Sequence, residues 1–75
     1  MPLKMEKLIL NRLRVVMAEK DVTNRWLAQK LKINENTVSK WVNNSQQPTI
    51  MTFYKISVLL QVDLKDLFES TLLKK

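Results

Sequence analysis

The stretch Val22-Thr-Asn-Arg-Trp-Leu-Ala-Gln-Lys-Leu-Lys-Ile-Asn-Glu-Asn-Thr-Val-Ser-Lys-Trp41 decides the fold. Two short helical segments can be read in it. The first follows Thr23, whose hydroxyl suits an N-cap, and it carries Leu27 and Leu31 one turn apart on one face. The second opens at Asn34, another capping residue, and runs to about Asn43. Only Lys30 to Ile33 separate them, too short a connection for two helices to lie antiparallel. They must cross steeply, which is the geometry of a helix-turn-helix over Thr23 to Asn44. Ala28 has a physical reason in that arrangement, because a larger side chain would push the crossing helices apart.

Outward from this stretch the chain carries three more helical segments. One spans about Lys4 to Glu19, with Ile9, Leu13, Val16 and Met17 at helical spacing. Asn43 to Pro48 is a turn-rich loop. Thr49 opens a helix with Ile50, Phe53, Ile56, Ser57 and Leu60 on its inner face. Asp63 caps a short fifth helix with Leu64, Leu67 and Phe68, and the tail from residue 70 onward is expected to fray. The expectation is an all-α, compact five-helix domain, a single unit over residues 1–75 with its core in 5–69.

Composition narrows the function classes. The 75 residues contain no Gly, Cys or His, and Lys and Arg outnumber Asp and Glu by 13 to 7 for a net charge of +6. Disulfides and structural zinc are excluded as staples. The usual nucleophile–base pairs, metal sites and glycine-rich phosphate loops are also missing, so an enzyme is not expected, nor a cofactor. No apolar run reaches the roughly 18–20 residues of a membrane span, and no signal peptide is visible, which suits a soluble cytoplasmic protein. The excess positive charge points to an anionic partner. Its distribution is informative: Arg25, Lys30, Lys32 and Lys40 lie between residues 22 and 47 against the single acid Glu35, whereas Asp63, Asp66 and Glu69 face only Lys65.

The second motif helix has two faces. Val38, Trp41 and Val42 follow i, i+3, i+4 spacing and must face the core. At about 100° per residue, Asn36, Lys40 and Asn43 fall opposite, with Glu35 and Ser39 on one edge and Thr37 on the other. A front of amide, ammonium and hydroxyl groups on an apolar back suits the major groove, where base edges offer donors and acceptors.

The stretch 22–41 resembles the lambda-repressor-like, or Xre/Cro-type, helix-turn-helix family. The small residue of the first motif helix matches Ala28, and the apolar positions match Leu27, Ile33, Val38 and Trp41. The later Pro48-Thr-Ile and Leu60-Gln-Val-Asp-Leu-Lys-Asp-Leu67 match the fourth and fifth helices, so the likeness covers roughly Ile9 to Phe68. It implies a DNA-binding regulator of bacterial or phage origin, a repressor by type, acting on double-stranded DNA. It also implies base contacts by Glu35, Asn36, Thr37 and Lys40. Asn36 suits adenine N6 and N7, Lys40 suits guanine O6 or N7, and Thr37 offers a hydroxyl or a methyl. Glu35 either accepts from cytosine N4 or lies at the edge, where it repels phosphates.

Asn24 matches a family position that reaches a phosphate. Thr23, Arg25, Lys32, Ser39, Asn43, Asn44 and Ser45 complete the expected phosphate set, and backbone N–H groups at the N-termini of the second and fourth helices add to it. Lys4, Lys7, Arg12 and Arg14 are either a solvated face or close to DNA. Trp41 is expected in the core and Trp26 half-exposed, packed over Lys30 or against the first helix.

The chain departs from the family at three places. Lys32 stands where the turn glycine usually is, and Asn44 where a second glycine often follows the recognition helix. Met17 and Val42 replace a buried Arg–Glu pair. A left-handed Lys32 costs roughly 1 kcal/mol, Asn44 tolerates that conformation well, and an apolar pair is an acceptable exchange for a buried ion pair.

Met51, Tyr54 and Val58 form a second apolar stripe off the inner face of the fourth helix. It is either edge-of-core packing, or a face covered by Leu72 and Leu73 of the tail, or a two-fold contact of a homodimer, which so small a core favours. An antitoxin, a protein-interaction module that also binds its own operator, is the alternative function. RNA is disfavoured because a protruding helix suits the groove of B-form DNA.

Overall fold

The computed structural model describes residues 9–70, which form four α-helices and one 3-10 turn. The helices are α1 (Leu13–Glu19), α2 (Asn24–Leu31), α3 (Glu35–Val42) and α4 (Ile50–Leu60). The all-helical class holds, and the fifth expected helix is reduced to the 3-10 turn Leu64–Leu67. Asp63 does cap it, accepting from the Lys65 amide at 3.2 Å.

Helix α1 begins later than the spacing of Ile9, Leu13 and Val16 suggested. Residues 9–12 are not helical, and Asn11 pairs antiparallel with Phe68. The Arg12 amide donates to the Leu67 carbonyl at 2.8 Å, and the Glu69 amide donates to the Leu10 carbonyl at 2.9 Å. The Asn11 side chain then accepts from the Leu13 amide at 3.0 Å, satisfying a donor that helix ends leave unpaired. Asn11 therefore starts the helix from outside it, and Ile9 is 55% exposed rather than in the core. The expected helical residues before Ile9, with Lys4 and Lys7, lie outside the described residues, as do Leu72 and Leu73.

The core gathers Leu13, Val16 and Met17 of α1, Leu27 and Ala28 of α2, Val38, Trp41 and Val42 of α3, Phe53, Ile56 and Leu60 of α4, and Leu67. Phe53 and Phe68 pack with ring centroids 4.6 Å apart at a tilt of 56°, a favourable aromatic arrangement. Met17 and Val42 are both buried, so apolar packing occupies the positions where the family often carries an ion pair. Ile50, expected on the inner face of α4, is 65% exposed. It is the first residue of that helix, one turn before Phe53 reaches the core.

All four helices end in the same way, without glycine. Asp21, Lys32, Asn44 and Gln61 have φ near +60° (58°, 59°, 61° and 58°). In each case the following residue donates back five positions: Val22 to Met17, Ile33 to Ala28, Ser45 to Lys40 and Val62 to Ser57. This is the Schellman closure, which satisfies carbonyls that the helix end leaves free. Those bonds offset a left-handed conformation that costs an L-residue roughly 1–2 kcal/mol.

Candidate nucleic-acid interface

The motif helices are each started by the side chain that the sequence nominated. The Thr23 hydroxyl accepts from the Trp26 amide at 3.0 Å, and Asn34 Oδ1 accepts from the Asn36 amide at 2.7 Å. Lys32 turns the chain between them at φ 59°. Ala28 is buried at the crossing, with the Ile33 amide donating to its carbonyl.

Helix α3 divides as its angular spacing requires. Val38, Trp41 and Val42 are buried at its back, while Glu35, Asn36, Lys40 and Asn43 are exposed and Thr37 and Ser39 half-buried. Asn36, Lys40 and Asn43 thus form a continuous polar row along one side of the helix, ending at its C-cap.

The candidate phosphate residues have more varied surroundings. Asn24 is half-buried at the start of α2, while Arg25 and Lys32 are exposed. Arg25 Nε lies 3.9 Å from Glu35 Oε1 in an ion pair open to solvent. That pair joins the starts of α2 and α3 and neutralises the one acid in the region. Ser45 is exposed and donates from Oγ to the Lys40 carbonyl at 3.2 Å. Trp26 is half-buried with the Lys30 ammonium 5.7 Å from its ring centroid, within cation–π range.

Asn44 differs from its expected role. It is buried, and its side chain is turned inward instead of toward a phosphate. Its Oδ1 accepts from the amides of Leu10 and Asn11, both at 2.9 Å, and from Gln47 Nε2 at 3.0 Å. Its Nδ2 donates to the Asn11 carbonyl at 3.3 Å. The reason is its left-handed backbone directly after α3, where the chain turns back against the N-terminal segment.

Asn11 completes this network. Its Nδ2 donates to the Trp41 carbonyl at 2.9 Å and to Gln47 Oε1 at 2.8 Å. No buried side-chain polar atom lacks a partner among the described residues. Asn11 and Gln47 were missed in the sequence. The available signal was a polar, turn-favouring Asn11 interrupting an otherwise apolar periodic run. The structure also separates the two arginines beside it: Arg12 Nη1 donates to the Asp66 carbonyl at 3.1 Å, whereas Arg14 Nη2 donates to Asn43 Oδ1 at 2.7 Å.

Comparison with known proteins agrees with this geometry. The family model of the Cro/C1-type HTH DNA-binding domain matches residues 12–71. The chain is also similar to a crystal structure of a protein from Bacteroides fragilis that is designated, by inference, a DNA-binding protein. That similarity has 45% sequence identity and a TM-score of 0.80, and covers 83% of this chain and 100% of the other. No curated protein matches the chain. With a family match over most of its length and two motif helices that cross over a short turn, this chain belongs to the Cro/C1-type helix-turn-helix DNA-binding domain family.

Proposed function

We propose that this protein is a sequence-specific transcriptional regulator, a repressor by type, that reads the major groove with α3 and acts in the bacterial cytoplasm. The observation that carries the reading is the exposed row Asn36, Lys40 and Asn43 on a helix whose opposite side is buried. Asn36 pairs with adenine and Lys40 with guanine, the contacts their donors and acceptors fit best. Thr37 lies at the edge of the row and supplies a methyl or hydroxyl contact. Glu35 is held by Arg25 and acts at the rim of the interface, limiting non-specific attraction more than it reads a base.

Backbone contacts come from Thr23, Asn24, Arg25, Lys32, Ser39 and Asn43, while Asn44 supports α3 from within and Ser45 gives its one hydroxyl proton to the Lys40 carbonyl. Thr23 can donate its hydroxyl proton to a phosphate while its oxygen caps α2. A homodimer joined through Met51, Tyr54 and Val58 presents two copies of α3 to successive half-sites.

Selection of bound sequences from random duplex DNA tests the assignment. Asn36→Ala and Lys40→Ala should each relax preference at one or two bases and cost about 1–3 kcal/mol on the selected site. Uniform weakening across all sequences would make the altered residue a backbone contact, and no selected sequence at all would remove the regulator reading.

A further inference from the structure

Arg12 and Arg14 are near neighbours that border one hollow with Asn43 and Glu69, yet their hydrogen bonds go to different partners. Arg12 is half-buried and donates to the Asp66 carbonyl. Arg14 is exposed on the first turn of α1 and donates to Asn43 Oδ1. Asn43 ends the polar row of α3. The Arg14 guanidinium therefore extends that row onto a third helix.

Two features make this placement more than a chance surface contact. The first is charge. Asn43 is a neutral acceptor, so the bond orients the guanidinium and leaves its positive charge in place, unlike Arg25, whose partner is the carboxylate of Glu35. A guanidinium has five N–H donors, and the Asn43 bond occupies one of them. The second is rigidity. The buried bonds from Asn11 to the Trp41 carbonyl and from Asn44 to the Asn11 backbone lock the start of α1 against the end of α3. The distance from Arg14 to the reading face is set by the interior of the protein.

We propose that Arg14 contacts the DNA backbone, with its guanidinium on a phosphodiester oxygen beyond the C-terminal end of α3 and Asn43 holding it in position. The inference rests on the reading that α3 faces DNA and adds α1 to the elements that touch it. Arginine suits the role because its planar fork matches phosphate geometry and stays charged at every relevant pH.

The test is fluorescence anisotropy over a series of salt concentrations with two labelled duplexes, the selected site and a mixed sequence of equal length. Arg14→Ala should weaken binding to both about tenfold. It should also flatten the plot of log affinity against log salt by about 0.9 for each bound chain, the release of one counterion. Arg14→Lys should keep the wild-type slope, and Arg12→Ala should leave it unchanged. Circular dichroism melting checks that each variant folds, which substitution at an exposed position should allow.

An unchanged slope in Arg14→Ala would overturn the proposal. So would an equal flattening in Arg12→Ala, which would reveal only the effect of net charge, or a loss confined to the selected duplex, which would make Arg14 a base reader. Wild-type protein that binds neither duplex in a salt-dependent way would sink the orientation of α3 as well.

Discussion

Lys32 and Asn44 adopt nearly the same left-handed backbone, at φ 59° and 61°, yet their side chains have unrelated tasks. Lys32 is exposed and its conformation is a local cost. Lys32→Gly relieves roughly 1–2 kcal/mol of strain and gives back about half through the greater freedom of glycine in the unfolded chain. A net gain of about 0.5–1 kcal/mol should appear in thermal melts, with weaker DNA binding if the ammonium contacts a phosphate. Asn44→Gly allows the same backbone but leaves the Leu10 and Asn11 amides and Gln47 Nε2 without their acceptor. It should destabilise the protein by about 2–3 kcal/mol, since unpaired buried donors are expensive. Opposite signs for the two glycine variants are the decisive result. Equal stabilisation would show that the buried network contributes nothing.

Helices of seven or eight residues, such as α1, α2 and α3, are too short to persist alone in water. Their caps define the ends, and packing at the crossings supplies the stability. Ala28, 4% exposed, is the point where α2 admits α3 at close range. Ala28→Leu should cost about 1–3 kcal/mol in urea unfolding, because extra methylenes force the helices apart or off their preferred rotamers. Its effect on DNA binding should exceed that of an equally destabilising change in α4, because displacing α3 moves Asn36 and Lys40 together. Equal losses from the two variants would argue against a position-sensitive reading helix. The first helix teaches a related lesson. Periodicity alone extended it toward Lys4, but the pairing of residues 10–12 with 67–69 stops it at Leu13.

Across the whole molecule, polar and apolar surfaces are divided. The proposed reading face lies on α2 and α3, while α4 exposes Ile50, Met51, Tyr54 and Val58, each between 57% and 65% exposed. The first three line a shallow apolar hollow with Leu64. This patch is the surface on which the proposed homodimer rests. Met51→Glu should convert a dimer to a monomer in sedimentation experiments without unfolding it, since Met51 makes little use of the core. DNA affinity should then fall most on sites with two half-sites roughly 34–36 Å apart. A wild-type protein that sediments as a monomer at the concentrations where it binds DNA would remove the dimer from this scheme.

The sequence by itself determined what depends on neighbours a few residues apart. Thr23, Asn34, Thr49 and Asp63 cap the elements they were read as starting, and each accepts from an amide two or three positions ahead. The buried back and polar front of α3 follow from the geometry of the helix, and Lys32 and Asn44 take the left-handed positions their places in the motif required. The tertiary structure alone decided the rest. Asn11 meets Asn44 across 33 residues, and Arg14 meets Asn43 across 29. Contacts at such separations leave no periodic trace, because they depend on where the chain returns and not on how it turns locally. For that reason the inward turn of Asn44 and the bond from Arg14 to Asn43 are legible only in the folded chain.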